Sequence, residues 1–234
     1  MHAADVMTPN VIAVDPDTTV QALAALLSER GISGAPVVDA SGQLVGIVSE
    51  GDLLHRPEIG TEARGPGQRS WWLEDFAAMQ AREYVKSHGR TVKDIMTRAV
   101  VTVTEETDLG EVARLLETNR IKRVPVIRGD KVVGIVSRSN LVRALGAAHA
   151  PATSVTADND RSIRGRLFAE LQNQPWANRI WPQDIIVNGG IVHLWFTSDE
   201  PDETKDAARI AAENVPGVRG VEVHIAPSSL LPAY

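Results

Sequence analysis

Leu44–Leu54 reads LVGIVSEGDLL, and Val132–Val142, 88 residues further on, reads VVGIVSRSNLV. Six of the 11 aligned positions are identical. A longer pair of blocks, Asp5–Val38 and Asp94–Ile127, agrees at 12 of 34 positions. Unrelated segments do not match this often, so the chain carries an internal duplication.

Both copies of this repeat show the same succession of patterns. A short β-rich run, Val11–Val14 or Val100–Val103, precedes polar residues that suit a turn and a helix start. A helical stretch, a hairpin with a glycine turn and a last short helix near Asp52 or Asn140 follow. The apolar helical positions are Val20, Leu23, Ala24 and Leu27 in the first copy and Leu109, Val112, Ala113 and Leu116 in the second. These patterns predict an α/β (α+β) fold that uses a βαββα unit twice.

The bulk composition narrows the class of protein. The chain has 234 residues, of which 43% are hydrophobic and 23% charged, an ordinary globular balance. There is no cysteine, which excludes a disulfide framework and a thiolate metal site. The net charge of −6 argues against nucleic acid as a partner. The sequence contains no signal peptide pattern and no apolar run long enough to span a bilayer, so we expect a cytoplasmic location.

The Ser49-x-x-Asp52 pattern has two interpretations. Ser49 ends a predicted strand, and its hydroxyl and the following N–H groups could meet an anion at a helix start. Asp52 could accept two hydrogen bonds from the vicinal diol of a ribose. The same spacing is also that of a simple helix cap, which stabilises the fold and binds nothing.

The ordered motifs in both copies resemble those of the CBS domain, a family found as tandem pairs. The resemblance covers about residues 1–55 and 91–148 and rests on DVMT and DIMT, on APVV and VPVI, and on the repeated GIVS. It implies that clefts between the repeats bind an adenine nucleotide such as AMP, ADP or ATP, with S-adenosylmethionine or NAD as further options. It also implies a homodimer. We predict no metal.

Carried over residue by residue, the resemblance assigns two matching sets of candidate nucleotide-binding residues. In each set a serine meets the phosphate side, an acid or amide meets the ribose, and apolar residues wall the base. The first set is Ile12, Ile32, Ser33, Pro36, Ser49 and Asp52, and the second is Val101, Ile121, Lys122, Arg123, Pro125, Ser137 and Asn140.

The two sets are not equivalent. Asn140 lacks the carboxylate charge that Asp52 provides, so we expect Asp52 to hold a ribose more tightly. Lys122 and Arg123 stand where relatives place a basic residue that contacts phosphates, whereas the first copy has Ser33 and Gly34 there. The alternative for Lys122 and Arg123 is a solvated basic pair.

The repeats define the expected domain organisation. Residues 1–55 form the first CBS repeat and 91–150 the second, with an inserted loop and helix at 56–90. The insert carries Trp71, Trp72, Phe76 and Tyr84, which either pack the helix onto the body or form a lid or partner patch. His55 and His88 flank it without metal-ligand spacing. Residues 151–159 are a linker, 160–226 a further domain and 227–234 a tail.

The C-terminal third follows a different pattern. Helix, strand, strand, helix and strand succeed one another, with Asn188-Gly-Gly as the hairpin turn. With VNGGIVHLWF and AARIAAENVPGVRGVEV it resembles a small αββαβ BON domain, although Trp195 and Phe196 replace residues that are usually small. Such domains elsewhere are associated with membranes or protein contacts.

Three functional hypotheses follow. We favour a non-catalytic regulatory protein that senses adenosine-containing nucleotides. The alternative is a dimeric scaffold that contacts an unidentified protein or a membrane through its BON domain. An enzyme is disfavoured, because the chain has no glycine-rich phosphate loop, no cysteine nucleophile and no catalytic histidine–carboxylate spacing.

Overall fold

The computed structural model describes residues 1–54, 56–61, 84–147 and 157–226. The described chain forms two compact units. Among the described residues, those within 11–100 and 130–132 form the first-repeat unit, and those within 1–10, 101–129 and 133–226 form the second-repeat unit. The second-repeat unit therefore includes the N-terminus and the whole described C-terminal third.

The first-repeat unit is built on an antiparallel hairpin and the helix Val20–Arg30. The helix begins after Thr19, whose hydroxyl accepts the Ala22 N–H at 3.2 Å, and ends at Gly31 in the left-handed region. Val20, Leu23 and Leu27 bury one helix face against Val37 and Val48 of the hairpin. The elements are α2 Val20–Arg30, β2 Gly34–Val38, β3 Leu44–Ser49, 3₁₀ turns Glu50–Leu53 and Pro57–Ile59, and α3 Val92–Ile95.

The second repeat has the same plan in the other unit. Val112 and Leu116 of its helix pack on Val124, Val126 and Val136 of its sheet, whose strand order is β1-β6-β5-β4. The elements are α1 Ala3–Val6, β1 Thr8–Pro9, β4 Val103–Thr104, α4 Leu109–Thr118, β5 Arg123–Arg128, β6 Lys131–Ser137 and α5 Arg138–Ala147.

The C-terminal third is a three-stranded sheet covered by two helices. Its order is the predicted αββαβ, with β7 antiparallel and β9 parallel to the central β8. One sheet face packs on the helices through Ile163, Leu167 and Ala208. The elements are α6 Ala157–Gln172, β7 Ile185–Asn188, β8 Ile191–Thr197, α7 Asp202–Glu213 and β9 Gly220–Ala226, with 3₁₀ turns at Pro175–Ala177 and Pro182–Asp184.

The repeated glycine and methionine fit together across the duplication. A Cβ on Gly134 would collide with the Met7 side chain, and a Cβ on Gly46 would collide with the Met96 side chain. The DVMT segment thus packs on the second repeat's hairpin and the DIMT segment on the first repeat's hairpin. At each GIVS glycine, a methionine side chain fills the space that a Cβ would take, so a larger residue would force that methionine to move.

Buried charges tie the second repeat to the C-terminal third within one unit. The Arg143 guanidinium lies 3.1 Å from the Asp184 carboxylate, and both are buried. Burial raises the pKa of Asp184 to about 6, although Arg143 opposes this. Arg164 is also buried, and desolvation lowers its pKa to about 10. Its guanidinium donates to backbone carbonyls of Ala4, Met7, Pro182 and Ile185.

Several sequence predictions are corrected. Val11–Val14 is no strand and forms a single bridge, Val14 to Val37. The corresponding run in the second copy contributes a strand at Val103–Thr104. Ala24 is exposed, so the buried helix face is narrower than predicted.

Element boundaries also differ from expectation. The last helix of the first copy is a four-residue 3₁₀ turn, whereas its counterpart runs for 10 residues from Arg138. Gly51 in the first copy, where the second has Ser139, weakens a helix. Helix α6 begins at Ala157, inside the expected linker. Ala3–Val6 is a helix that the sequence did not predict. His55 and the insert aromatics Trp71, Trp72 and Phe76 lie outside the described residues.

Candidate functional site

We call each serine together with its capping acid or amide a half-site. The first half-site, Ser49 with Asp52, lies where β3 ends. Asp52 turns its carboxylate back on Ser49, accepting the Ser49 N–H at 2.9 Å and the Ser49 hydroxyl at 3.0 Å through Oδ2. The Glu50 N–H donates to the Ser33 carbonyl at 3.1 Å, which brings the Ile32–Ser33 segment beside Ser49. The bonds between Ser49 and Asp52 belong to a capping box. The cap uses only Oδ2 of Asp52, so capping and ligand binding are compatible.

The second oxygen of Asp52 has a different partner. Lys86 donates from Nζ to Asp52 Oδ1 at 2.9 Å. The Lys86 side chain is 47% exposed and that of Asp52 is 14% exposed. Buried Arg56 positions this lysine, because its Nη1 donates to the carbonyls of Lys86 and Gly89. The polar end of the half-site is therefore a carboxylate paired with a solvated cation.

The second half-site repeats the cap but not the cation. Asn140 Oδ1 accepts the Ser137 N–H at 2.8 Å and the Ser137 hydroxyl at 2.6 Å. The other face of the amide differs, since Nδ2 donates to the Val6 carbonyl at 2.9 Å. Asn140 is 3% exposed. A carboxylate at this position would place two oxygens face to face, which explains why an amide suits it.

The remaining predicted residues fall into the same two groups. Ile32 packs against the first-repeat core, and Ile12 is half-buried in that unit. Val101 and Ile121 pack against the second-repeat core. Pro36 and Pro125 are buried within β2 and β5, Lys122 is exposed and Arg123 is half-buried. The Arg138 N–H bonds the Lys122 carbonyl at 3.2 Å, the counterpart of the Glu50–Ser33 bond.

Sequence reasoning missed two partners of these half-sites. Lys86 belongs to the insert, 34 residues from Asp52, and no repeated motif marks it. Val6 offers only a backbone carbonyl, which leaves no trace in the side-chain pattern. The sequence signal for this difference was that aligned positions of the two repeats hold Asp52 and Asn140, which have different charge and hydrogen-bonding groups.

Two further properties concern cofactors and membranes. Within the described parts of the chain, the group of three potential metal ligands lies on the C-terminal sheet and includes none of the predicted nucleotide-binding residues. Among the described helices, none combines the length and apolarity of a membrane span.

Comparison with known proteins gives consistent relatives. The CBS domain family model matches residues 3–58 and 92–147. The chain is 37% identical over 148 residues to CBS domain-containing protein CBSX2, chloroplastic, of Arabidopsis thaliana, and 40% identical over 137 residues to CBSX1, chloroplastic, of the same plant. These alignments cover 60% and 56% of this chain. The chain spans about three fifths of these curated relatives, 61% and 57% of their lengths.

Solved structures point the same way. The chain is similar to the crystal structure of CBSX2 in complex with AMP, with a TM-score of 0.55 and 34% identity, over 63% of this chain and 98% of that chain. The residues matched by the family model, 3–58 and 92–147, contain both repeats and both capped half-sites. The chain therefore belongs to the CBS domain family, and its two repeats are a tandem CBS pair.

Proposed function

We propose that this protein is a non-catalytic regulatory protein whose CBS pair binds an adenosine-containing nucleotide. The similarity to CBSX2 in complex with AMP supports an adenine nucleotide as the ligand class. AMP, ADP and ATP share the base and ribose with S-adenosylmethionine and NAD, so all five belong to the class to be tested.

The observation that carries the proposal is the pairing of Asp52 with a solvated lysine. Ser49 fixes one oxygen of the carboxylate, and Lys86 holds the other at 2.9 Å. An exposed ion pair is worth about 0–1 kcal/mol, so a ribose diol could displace the lysine at little cost. The released ammonium would then be free to meet a phosphate. We assign the ribose to Asp52, with Ile12, Ile32, Ser33 and Pro36 around the nucleotide.

The second half-site is proposed to have a structural role. Asn140 already uses its oxygen on Ser137 and its nitrogen on Val6, and it is 3% exposed. A ribose would have to break the bond to Val6 and leave a buried carbonyl without a donor, which costs about 1–3 kcal/mol. We therefore expect the site built on Asp52 to fill first, while Lys122 and Arg123 remain candidates for phosphate contacts.

We further propose a homodimer formed through the CBS pair. Val142 and Leu145 on helix α5 are each 66% exposed, and Leu54 in the first-repeat unit is 60% exposed. Large apolar side chains exposed on both units favour a covering surface. The BON assignment of the C-terminal third rests on its αββαβ order, and its membrane or protein partner, like the cytoplasmic location, stays a prediction.

A thermal-shift panel on nucleotide-free protein tests the ligand class. AMP, ADP, ATP, S-adenosylmethionine and NAD are compared with GTP as the matched purine control. A ligand present at about 100 times its dissociation constant stabilises the native state by about 2.7 kcal/mol. We expect a shift with at least one adenosine compound and none with GTP. Equal shifts with GTP, or no shift with any compound, would overturn the proposal in favour of the scaffold alternative.

A further inference from the structure

A cluster of two histidines and a glutamate lies on the C-terminal sheet. His193 is on β8, and Glu222 and His224 are on the neighbouring parallel strand β9. The register pairs His193 with Glu222 and Trp195 with His224. Side chains of paired residues point to the same sheet face, so all four share the face opposite the one that packs on the two helices.

The three ligand-type atoms form a compact triangle. His193 Nδ1 lies 3.0 Å from His224 Nε2 and 3.4 Å from Glu222 Oε2, and His224 Nε2 lies 3.9 Å from the same oxygen. A circle through the three atoms has a radius of about 2.0 Å. Three ligands of a tetrahedral Zn²⁺ site, with bonds of about 2.1 Å, lie on a circle of the same size.

The donor types in this cluster also suit a metal. Two imidazole nitrogens 3.0 Å apart cannot both point an N–H at the other, so at least one presents its lone pair to the cluster. Glu222 adds an anionic oxygen to the same point. Nitrogen and carboxylate donors together favour a transition metal of the Zn²⁺ type over Mg²⁺ or Ca²⁺.

The surroundings hold the cluster in place. His193 is 1% exposed, and its Nε2 has no hydrogen-bond partner among the described residues. The His224 ring stacks on Trp195 with centroids 4.2 Å apart and planes 16° apart. Trp195 in turn packs against Gly146 of helix α5, where a Cβ would clash with the indole. Burial of His193 and stacking of His224 on Trp195 therefore restrict both rings before any ion arrives. His193 Nε2 lacks, among the described residues, the acceptor that usually orients a metal-bound histidine.

We propose that His193, Glu222 and His224 form a binding site for a divalent ion of the Zn²⁺ class. His193 Nδ1, His224 Nε2 and a Glu222 carboxylate oxygen supply three ligands. Glu222 is 53% exposed and His224 25% exposed, so an ion has access from solvent and the fourth position takes water. Three protein ligands with one open position is the arrangement of reactive rather than purely structural zinc sites.

Cobalt binding tests the proposal on the tag-free full chain after treatment with a chelator. Co²⁺ is titrated while the visible absorption of four-coordinate cobalt is followed, and Zn²⁺ is then added as competitor. We expect one equivalent of Co²⁺ to bind, with absorption that Zn²⁺ abolishes. His224→Gln and Glu222→Gln should each weaken binding by more than about tenfold.

Two controls separate this site from adventitious binding and from misfolding. His88→Gln and His2→Gln change histidines elsewhere in the described chain and should leave the affinity unchanged. Glu222 is half exposed, so Glu222→Gln keeps the fold, and its melting curve in chelator should match that of the parent protein. No cobalt absorption, or binding equal to the parent's in His224→Gln and Glu222→Gln, would overturn the proposal. AMP binding is measured in parallel and should not depend on either variant.

Discussion

The two capped half-sites differ in what each does with its third polar partner. In the first repeat, Asp52 faces the exposed ammonium of Lys86, and in the second, Asn140 faces the buried carbonyl of Val6. Both retain the serine cap, with backbone N–H bonds of 2.9 Å and 2.8 Å. The difference shows that a duplicated motif can keep its capping geometry while the two copies diverge. One copy has a carboxylate that can accept from a ligand, and the other has an amide that hydrogen-bonds to the backbone.

The largest expected effect comes from Asn140→Asp. The new carboxylate oxygen would face the Val6 carbonyl in a site where Asn140 is 3% exposed. We expect a loss of about 3 kcal/mol in the free energy of unfolding, because a buried donor is replaced by a charged oxygen that faces the Val6 carbonyl. Urea unfolding at neutral pH measures it. The matched variant Asp52→Asn should lower the free energy of unfolding by less than about 1 kcal/mol. Equal losses in the two variants would contradict a difference between the half-sites.

The buried ion pair of the second-repeat unit gives a pH-dependent test. The difference between 3.8 in the unfolded chain and about 6 for folded Asp184 corresponds to about 3 kcal/mol. Because the pKa is raised, the folded state binds the proton more tightly, so this contribution to stability grows as pH falls from about 7 to about 4. Arg143 and Glu200 are the charged groups that act on Asp184.

The measurement compares the parent chain with Asp184→Asn by urea unfolding across this pH range. We expect the stability difference, parent minus variant, to increase as pH falls. Asp202→Asn, at a side chain 92% exposed, is the control for removing a carboxylate from the surface. If the stability difference for Asp184→Asn stays flat or decreases as pH falls, burial does not dominate the pKa of this carboxyl group.

Nucleotide affinity sharpens the comparison of the half-sites. Asp52→Ala removes a charged acceptor of the ribose, and such hydrogen bonds are worth about 1.5–3 kcal/mol. We expect AMP to bind about 10- to 100-fold more weakly by isothermal titration calorimetry. Ser137→Ala, which disturbs the second cap, should leave the affinity within about twofold. The reverse ranking would move the ribose to the second half-site.

The smallest effect is expected for Lys86→Ala. The lysine must leave Asp52 before a ribose enters, and the exposed pair is worth less than about 1 kcal/mol. For adenosine, which has no phosphate to attract the ammonium, we expect binding to tighten by up to about fivefold in calorimetry. Lys93→Ala, an exposed lysine of the same unit, should change nothing. Weaker adenosine binding in Lys86→Ala would show that the lysine supports the ligand.

The sequence predicted the fold where local pattern and repetition agree. Helical spacing located α2 and α4, and glycine turns located both repeat hairpins and the C-terminal one. The prediction of a first strand in the first repeat was wrong, because Val11–Val14 has the composition of a strand but forms a β-bridge only at Val14. Composition reports that a residue suits a strand, not that a partner lies beside it.

Long-range partners could not be predicted for a physical reason. Met7 and Met96 occupy equivalent positions, and nothing in either motif states which repeat's glycine receives them. The cluster of His193, Glu222 and His224 was missed because it depends on the register between β8 and β9, which only the parallel pairing sets. Alternation places His193 and Trp195, or Glu222 and His224, on one face, but a shift of the register would separate them.

Arg164 has a consequence for anyone who reuses parts of this protein. Its guanidinium holds the carbonyls of Ala4 and Met7 at 3.3 Å and 2.9 Å, together with those of Pro182 and Ile185. Cutting the chain after Ala147 would therefore strip the donor from two carbonyls at the opposite terminus. A fragment that keeps the second repeat intact must therefore contain both the segment around Ala4–Met7 and the segment around Arg164.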